Sequence, residues 1–291
     1  MLLKISIFFN NAFQSLASVI KIILLSKYFV RMPEKALVTD ECVVLGNGPS
    51  FNQTLAEDYA ALQSKKLMCV NLFVTSNEYE KLQPRYYILN APEYFSEKPV
   101  SALHEKYRVE IFTGIAEKTT WPLFVFIPSF AKNSAIWKKY LNANKNVTVC
   151  FYNSTPVEGF SSINCLLYKL NLGMPRPHNV LVPGIFVALN MGFKKIYIVG
   201  ADHSWHEELR VDENNIATVN HQHFYEAAAS RFGMMKMDGS SFKIHDILRK
   251  IYLGFLGYYF LKDYAQRIGA TIYNASKKSY IDAFERVKLK S

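Results

Sequence analysis

Four of the seven histidines in this chain lie between positions 203 and 223, beside two carboxylates. The histidines are His203, His206, His221 and His223, and the carboxylates are Asp202 and Glu207. Histidine exchanges protons near neutral pH, and an adjacent carboxylate fixes its tautomer or raises its pKa. The cluster predicts general acid–base chemistry, with Asp202, His203, His221 and His223 as catalytic candidates.

The same cluster could instead bind a metal ion or form a solvated loop. The His-x-x-His and His-x-His pairs could converge on a metal, but no cysteine joins them and their spacing matches no zinc signature. We therefore expect no metal site. For any single histidine, a solvated position in a polar loop accounts for the sequence as well.

A glycine-rich turn is the second candidate site. The sequence ECVVLGNGPSF (41–51) predicts a strand, a tight turn and a helix whose N-cap is Ser50 or Asn52. Glycines in the turn allow a positive φ and let a phosphate approach the backbone, while the N-terminus of the helix attracts anions. The ligand-binding candidates here are Gly46, Asn47, Gly48, Pro49 and Ser50. The motif lacks the third glycine of the dinucleotide fingerprint and the Lys-Ser/Thr pair of a P-loop, and an ordinary strand-to-helix turn shares its pattern.

Further polar residues follow apolar runs that are typical of strands. Asn71 and Asn90 end two such runs, and Asn274 and Ser276 follow the last one. In open parallel sheets, ligands bind beyond the carboxyl ends of the strands. Amides donate and accept hydrogen bonds at once, which suits sugar hydroxyls, a base edge and a phosphate. We therefore expect these residues to line one binding crevice with Asn47.

Two more segments carry isolated candidates. His245 lies at the start of a predicted long helix, where an ordinary helix-start position accounts for it as well. Arg176 and His178 precede the apolar segment GIFVALNM (184–191) and could meet a phosphate or carboxylate at the N-terminus of that helix. A solvated loop is the alternative for this pair.

The elements that must position these residues alternate between strands and helices. After the first strand, apolar runs predict strands at 66–72, 85–90, 109–112, 123–127, 146–152, 195–199 and 270–274. Helices are predicted at 55–62, 184–191, 247–268 and 280–287. The alternation predicts an α/β fold with a mostly parallel Rossmann-like sheet, helices on both faces, a small lid region at about 203–246 and an N-terminal amphipathic helix.

The N-terminal segment is almost entirely apolar. Its polar residues at 4, 11, 14, 21 and 27 fall on one side of a helix, opposite Phe8, Phe9, Phe13, Leu16, Ile20, Ile23 and Leu24. Its uninterrupted apolar runs are shorter than the about 20 residues that span a bilayer. We expect residues 1–31 to form an interfacial membrane helix, residues 32–40 a linker, and residues 41–291 a single catalytic domain. A signal peptide fits less well, and a helix packed on the protein itself or on a second subunit is the alternative.

Composition narrows the class of partner. The chain has 291 residues, half of them hydrophobic, and a formal net charge of +10. This charge favours an anionic membrane surface or a phosphorylated or acidic substrate, and no nucleic-acid-binding motif is present. The four cysteines are widely spaced, which favours buried thiols in a reducing compartment over a disulfide framework.

The GNGPS turn, the strand-end Asn71 and Asn90, and PGIFVALNMGFKKIYIVGAD (183–202) together resemble the bacterial lipooligosaccharide sialyltransferases. They also resemble the related hydroxymethylpterin pyrophosphokinase-like domain, which occurs in flagellin-modifying glycosyltransferases. The resemblance covers roughly residues 42–279, at the level of a superfamily.

The resemblance implies roles for several residues. Asn47, Asn71 and Asn90 would contact the nucleotide and phosphate of a CMP-activated sugar. The pair Pro183-Gly184 would face the donor in place of the family's Ser-Gly, and Asn274-Ala275-Ser276 would replace its nucleotide-binding Pro-Asn-Ser. His245 is nearest by order to the family's lid histidine, the general base, with His203, His221 and His223 as rivals. Tyr225 is the candidate counterpart of a phosphate-binding tyrosine.

The resemblance implies a bacterial glycosyltransferase that moves sialic acid or another ulosonic acid from a CMP donor to a glycolipid or polysaccharide, in lipopolysaccharide or capsule synthesis. We expect it peripherally at the cytoplasmic face of the inner membrane, attached through residues 1–31, with no obligatory cofactor and with homo-oligomerisation left open. One alternative is an ATP-dependent pyrophosphokinase acting on a pterin-like alcohol, which would need Mg²⁺ held by Asp202 with Glu207 or Glu208. The second alternative is a non-catalytic nucleotide- or glycan-binding subunit.

Overall fold

The computed structural model describes residues 2–28, 30–37, 40–98, 101–221, 223–226, 230–233, 236 and 240–290. Its strands are β1 (Glu41–Leu45), β2 (Lys66–Val70), β3 (Tyr86–Ile88), β4 (Leu123–Pro128), β5 (Val147–Tyr152), β6 (Lys195–Val199), β7 (Arg210–Val211), β8 (Ala217–His221), β9 (Ser230–Gly233), β10 (Thr271–Asn274) and β11 (Glu285–Arg286). Its helices are α1 (Leu2–Leu25), α2 (Phe51–Gln63), α3 (Glu78–Leu82), α4 (Ala102–Lys118), α5 (Ala135–Leu141), α6 (Ser161–Lys169), α7 (Leu181–Met191) and α8 (Ile244–Arg267).

The predicted α/β fold is confirmed. Eight strands form a parallel sheet in the order β11-β10-β6-β1-β2-β3-β4-β5. Alternate residues of β1 enter two cores: Cys42 and Val44 pack with α7 and α8, and Val43 and Leu45 pack with α2, α4 and α5. Helices therefore cover both faces, as the continuous apolar runs of buried parallel strands require.

The strand order reverses at the pair β1–β6. From β1 the chain proceeds outward through β2, β3, β4 and β5, and it then returns to β6 on the other side of β1. Such a reversal leaves a crevice at the carboxyl ends of the two strands, where doubly wound folds bind ligands. In this chain, those ends carry the glycine turn after β1 and Gly200-Ala201-Asp202 after β6.

Two predicted elements are wrong. Residues 109–112 lie inside α4, because Ile111, Phe112 and Ile115 form a buried helical face and the Ser101 hydroxyl caps the helix by accepting from His104 N. Residues 280–287 contain no helix: Glu285–Arg286 forms β11, which pairs in parallel with the open edge of β10. The Arg286 guanidinium holds this edge by donating to the Ser276 carbonyl at 2.6 Å.

The region predicted as a lid contains a second, small sheet. Strands β7, β8 and β9 pair antiparallel in that order, and Ala217 and Val219 of β8 pack with Ile247 at the start of α8. After β8, Phe224 lies buried against the rings of Phe51 and Phe73. This contact brings the segment 223–226 to the glycine turn.

Helix α1 turns its small and polar side against the protein. The Ser15 hydroxyl accepts from Phe160 N, the Ser18 hydroxyl donates to the Glu158 carbonyl and accepts from its N–H, and the Ser26 hydroxyl bonds to Thr155. The seven apolar residues predicted to face lipid are all exposed. By length and composition the stretch Leu3–Leu25 would also be able to cross a membrane, a test that signal sequences and core helices of soluble proteins pass as well.

Candidate functional site

At the switch point, the two strand-end loops touch each other directly. A Cβ on Gly46 would overlap the carbonyl of Gly200, and one on Gly48 would overlap the carboxylate of Asp202. Gly46 and Gly48 have no positive φ, whereas Gly200 has a φ of 60°. The two glycines of the turn are therefore needed for close approach between loops of the chain itself.

Asp202 occupies the position that the sequence predicted for an anionic ligand. Its carboxylate accepts from Ser50 N at 3.0 Å and from the Ser50 hydroxyl. Burial raises the pKa of Asp202, and its bonds to Ser50 oppose that rise. Phe51 N and Asn52 N donate to the carbonyls of Gly48 and Pro49. The N–H groups at the start of α2 are therefore already bonded and do not form a phosphate-binding site. Pro49, beside them, is exposed.

Asn274 and Ser276 are likewise bonded within the protein. Asn274 is fully buried; its amide donates to the Ser279 hydroxyl and the Ile281 carbonyl and accepts from Ser276 N. The Ser276 hydroxyl accepts from Ala201 N at 3.1 Å. These bonds hold the loop after β10 to the loop after β6, which corrects the expectation that both side chains face a ligand.

Pro183 and Gly184 lie in the core. Both are buried in the first half of α7, and a Cβ on Gly184 would lie 3.2 Å from Val44 and 3.7 Å from Met68. Glycine at this position lets α7 pack tightly on β1 and β2. The expectation that this pair faces the donor is therefore corrected: the polar side chains that precede the N-terminus of α7 are those of His178 and Asn179.

Three asparagines share the carboxyl edge of adjacent strands, as the sequence predicted. Asn47, Asn71 and Asn90 follow β1, β2 and β3, and all three are only partly buried. The Asn47 amide donates to the Val70 carbonyl at 3.2 Å, but its side-chain oxygen and that of Asn71 are buried and have no partner within the described residues. Buried polar atoms without partners are uncommon and mark places where a ligand or water binds.

A loop before α7 forms the wall above this edge. Asn90 donates to the Pro177 carbonyl and accepts from the Tyr152 hydroxyl, which ties the loop to the end of β3. The Asn179 side-chain oxygen accepts from Leu181 N and Val182 N and so caps α7. Asn179 Nδ2 and His178 Nε2 lack partners within the described part of the chain. Burial, followed by the charges of Arg176 and Lys250, lowers the pKa of His178.

Sequence reasoning missed Asn179 and treated His178 only as an anion contact. The available signal was the position of Asn179 two residues before α7, which is typical of a capping asparagine. The sequence could not show that the Asn179 amide nitrogen lacks a partner, because this depends on which residues of α8 pack near it.

Among the candidate bases, His223 reaches the site. Its ring stacks on Tyr225, and its Nδ1 lies 3.1 Å from the carboxylate of Glu226. Phe224 N donates to the Asn47 carbonyl, and the Asn52 amide donates to the Phe224 carbonyl. A histidine–carboxylate pair therefore lies beside the glycine turn. The sequence named His223 but missed its partner Glu226, which a histidine and a carboxylate three positions apart could have indicated.

The remaining histidines of the cluster and His245 are placed differently. His203 is buried, bonds to the Tyr258 hydroxyl at 2.6 Å, and has its pKa lowered by burial to about 3, so it is a neutral packing residue instead of a base. His245 is 80% exposed at the start of α8, beside Asp246. The side chain of His221 lies outside the described residues. Tyr225, the candidate phosphate ligand, is partly buried beside Phe224.

No group of three or more histidines, cysteines or carboxylates is arranged to hold a metal ion among the residues that the structure describes. The carboxylates suggested for Mg²⁺ have protein partners. Asp202 bonds to Ser50, and Glu207 pairs with Lys278 at 3.0 Å and bonds to the Tyr280 hydroxyl.

The chain matches no protein-family model, and no curated protein matches its sequence. A solved structure, that of the MAf glycosyltransferase from Magnetospirillum magneticum AMB-1, is similar to it with a TM-score of 0.50 and 13% sequence identity. The similarity covers 96% of this chain and 39% of that protein, so this chain spans less than half of its length. At this identity the similarity concerns the fold alone.

Proposed function

We propose that this protein is a glycosyltransferase that moves a sugar from a nucleotide-activated donor to a glycan or glycolipid at a membrane surface. The observation that carries the proposal is the pair of unpartnered amide oxygens of Asn47 and Asn71. They follow adjacent parallel strands beside the switch point, in a fold similar to that of a glycosyltransferase. Amide groups at this edge are suited to a nucleotide and a sugar together.

The donor in this proposal is a CMP-activated acidic sugar, either sialic acid or another ulosonic acid. The resemblance of the GNGPS turn and of the strand-end asparagines to the sialyltransferases supports that choice. Because Asp202 already accepts from Ser50 N, we assign the leaving phosphate to the unpartnered Asn179 Nδ2 and to the positive end of the α7 dipole. The amide oxygens of Asn47 and Asn71 would accept from hydroxyl or base N–H groups of the donor, and Asn90 holds the loop before α7 in place. No metal is required by this assignment.

We assign the general base to His223. Its neighbour Glu226 would fix the tautomer and stabilise the imidazolium that forms when the acceptor hydroxyl loses its proton. His223→Gln should lower turnover by roughly a hundredfold or more while donor binding is retained. His245→Gln is the matched comparison and should leave turnover unchanged. Loss of turnover in His245→Gln but not in His223→Gln would identify His245 as the base instead.

Helix α1 supports attachment to a membrane. Its large apolar side chains are exposed on one face, while the hydroxyls of Ser15 and Ser18 on the other face bond to residues 158–160. Just beyond the helix, Lys27 N donates to the Asn153 side chain. A helix held along this length would lie in the interface, since spanning would break these bonds. We propose that the protein is peripheral, at the cytoplasmic face of the inner membrane.

Vesicle flotation tests this attachment. The double variant Phe9→Glu and Phe13→Glu should abolish co-flotation with anionic vesicles, because it introduces charge into the apolar face. Phe130→Glu, at an exposed phenylalanine outside α1, is the control and should float like the wild type. Equal flotation of the α1 double variant would exclude α1 as the anchor.

A thermal-shift panel tests the donor. The panel contains CMP, CMP-sialic acid, a CMP-ulosonic acid, UDP-sugars, and ATP with Mg²⁺. A ligand at a hundred times its Kd stabilises the fold by about 2.7 kcal/mol. We expect a response to CMP compounds that Asn47→Ala abolishes and that Asn142→Ala, at an exposed asparagine away from the edge, retains. A response only to ATP with Mg²⁺ would support the pyrophosphokinase instead, and no response would support a non-catalytic subunit.

A further inference from the structure

A groove of about 630 Å³ lies beside the strand-end site, between α1 and α8. Glu158 and Gly159 from one loop, and Arg176 and His178 from another, also line it. Because Pro177 accepts from Asn90, the loop that forms part of this groove also forms the wall of the proposed donor site. A molecule bound in the groove would therefore adjoin the sugar-transfer site.

The groove has two chemical halves. Lys21, Arg176, Arg249 and Lys250 supply positive charge near His178. Farther along α8, Leu253, Leu256 and Phe260 form an apolar wall. Ten residues of helix separate Lys250 from Phe260, which corresponds to about 15 Å and suits a charged head followed by a hydrocarbon chain.

The positive charge is only partly neutralised. Glu158 binds Arg176 through two bonds of 2.9 and 2.7 Å and pairs with Lys21 at 3.9 Å. Asp246, the other carboxylate that lines the groove, pairs with Lys236 at 3.1 Å. Within the described residues, no ion pair joins Arg249 or Lys250 to a carboxylate. Lys250 is half-buried, with its ammonium 3.6 Å from the centre of the Phe242 ring, and burial lowers its pKa. A half-buried cation without a carboxylate favours an anionic ligand.

The apolar half adjoins the face of α1 that is exposed. Asn10, Asn11 and Gln14 of α1 line the groove, and on the same turns of that helix Phe9 and Phe13 point outward. A hydrocarbon chain leaving the groove on this side would meet the surface that we assign to the membrane. A soluble anion would gain nothing from this apolar wall.

We propose that the groove between α1 and α8 binds one phosphate-bearing membrane lipid, with its phosphate at Lys21, Arg176, Arg249 and Lys250 and its chain along Leu253, Leu256 and Phe260. This inference rests on the proposed function, because it makes the lipid the anchor of the acceptor glycan. The lipid phosphate would hold the attached sugars at the loop 176–179, next to the donor.

The test measures lipid binding to the full chain and needs no donor. Dioctanoyl phosphatidic acid, a short-chain phosphate lipid, is titrated by calorimetry, with dioctanoylglycerol and inorganic phosphate as separate probes. We expect saturable one-to-one binding of the phosphate lipid and at least about tenfold weaker binding of each partial probe. Equal binding of inorganic phosphate would overturn the proposal, because the apolar wall would then contribute nothing.

Matched variants assign the binding to the groove. Arg249→Met and Lys250→Met keep the length of the side chain without its charge, and each should weaken binding about tenfold. Lys262→Met removes an exposed charge of α8 outside the groove and should change nothing. An equal loss of affinity in Lys262→Met would mean that the lipid responds only to the overall positive charge of the protein, and it would overturn the proposal.

A second perturbation addresses the apolar half. Leu256→Trp should block binding by filling the groove, and Leu253→Asp should weaken it by charging the wall. Variants are compared only where their thermal midpoints match the wild type. Unchanged lipid binding in whichever of these two variants folds like the wild type would overturn the proposed position of the hydrocarbon chain. Binding of lipid without any response to CMP compounds would refute the donor assignment but not this site, and the reverse result would refute only this site.

Discussion

The two sides of the switch point use similar polar residues in opposite ways. On the side of β6 and β10, Asp202, Asn274 and Ser276 form hydrogen bonds that lock three loops together. On the side of β1 and β2, Asn47 and Asn71 keep side-chain oxygens without partners in the described part of the chain. A polar residue at the end of a strand therefore indicates a binding site only when the fold leaves its donors or acceptors without partners.

The largest effect is expected where the loops touch. Gly46→Ala should lower the free energy of unfolding by about 3 kcal/mol, because the new methyl group would overlap the Gly200 backbone. Urea denaturation monitored by circular dichroism measures this. Gly254→Ala is the control, since its Cβ would meet only Asn179 Nδ2 at 3.4 Å and alanine favours the helix. Equal stability of the two variants would contradict the tight junction.

Asparagines from the two sides should separate stability from binding. Asn274→Ala should cost about 2 kcal/mol, because it leaves the half-buried Ser279 hydroxyl and the buried Ile281 carbonyl without their donor. Asn47→Ala loses one bond to the Val70 carbonyl and should cost less than about 1 kcal/mol. Denaturant titration of both variants checks the order, and a reversed order would remove the distinction between the two sides.

Acid should destabilise the protein through His203. Burial lowers its pKa from 6.5 to about 3, so below pH 6.5 the unfolded chain takes up a proton that the folded chain refuses. The contribution of His203 to the free energy of unfolding is complete above pH 6.5 and is lost as the pH falls towards 3. The loss is about 2 kcal/mol at pH 5. His203→Asn, which suits the φ of 53° at this position, should flatten that part of the stability curve.

The exposed histidine His245 provides the control for this pH dependence. His245→Asn makes the same exchange of an imidazole for an amide at a side chain that is 80% exposed, so it controls for the substitution itself. Asp202 is present in all three proteins, so the difference between their curves isolates His203. An unchanged slope in His203→Asn would mean that other groups cause the acid sensitivity.

Much of the fold follows from the sequence because buried parallel strands are continuous apolar runs. The runs ending at Asn47, Asn71 and Asn90 form adjacent strands, so their shared edge could be predicted. Residues 109–112 could not be assigned from their β-branched and aromatic side chains, because packing of Ile111 and Phe112 on the sheet favours the helix. Edge strand β11 has only two paired residues and no sequence period.

The site was less predictable because residue type does not reveal which hydrogen bonds are satisfied. Asn274 and Asn71 look alike in sequence, yet only Asn274 meets a hydroxyl and a carbonyl from the loop that follows it. Gly184 begins a predicted helix, where the resemblance places a donor-facing glycine, but the packing of α7 on β1 buries it in the core. His223 depends in the same way on the docking of Phe224 against α2.

Hydrogen exchange with and without a CMP-sugar tests whether the donor binds on the side of β1–β3. We expect bound donor to slow exchange at 46–48, 71–76 and 177–182, on the side of β1–β3, and to leave 200–204 and 274–281 unchanged. Protection confined to 200–204 and 274–281 would contradict this claim, because the ligand would then bind on the side whose polar groups already bond to one another.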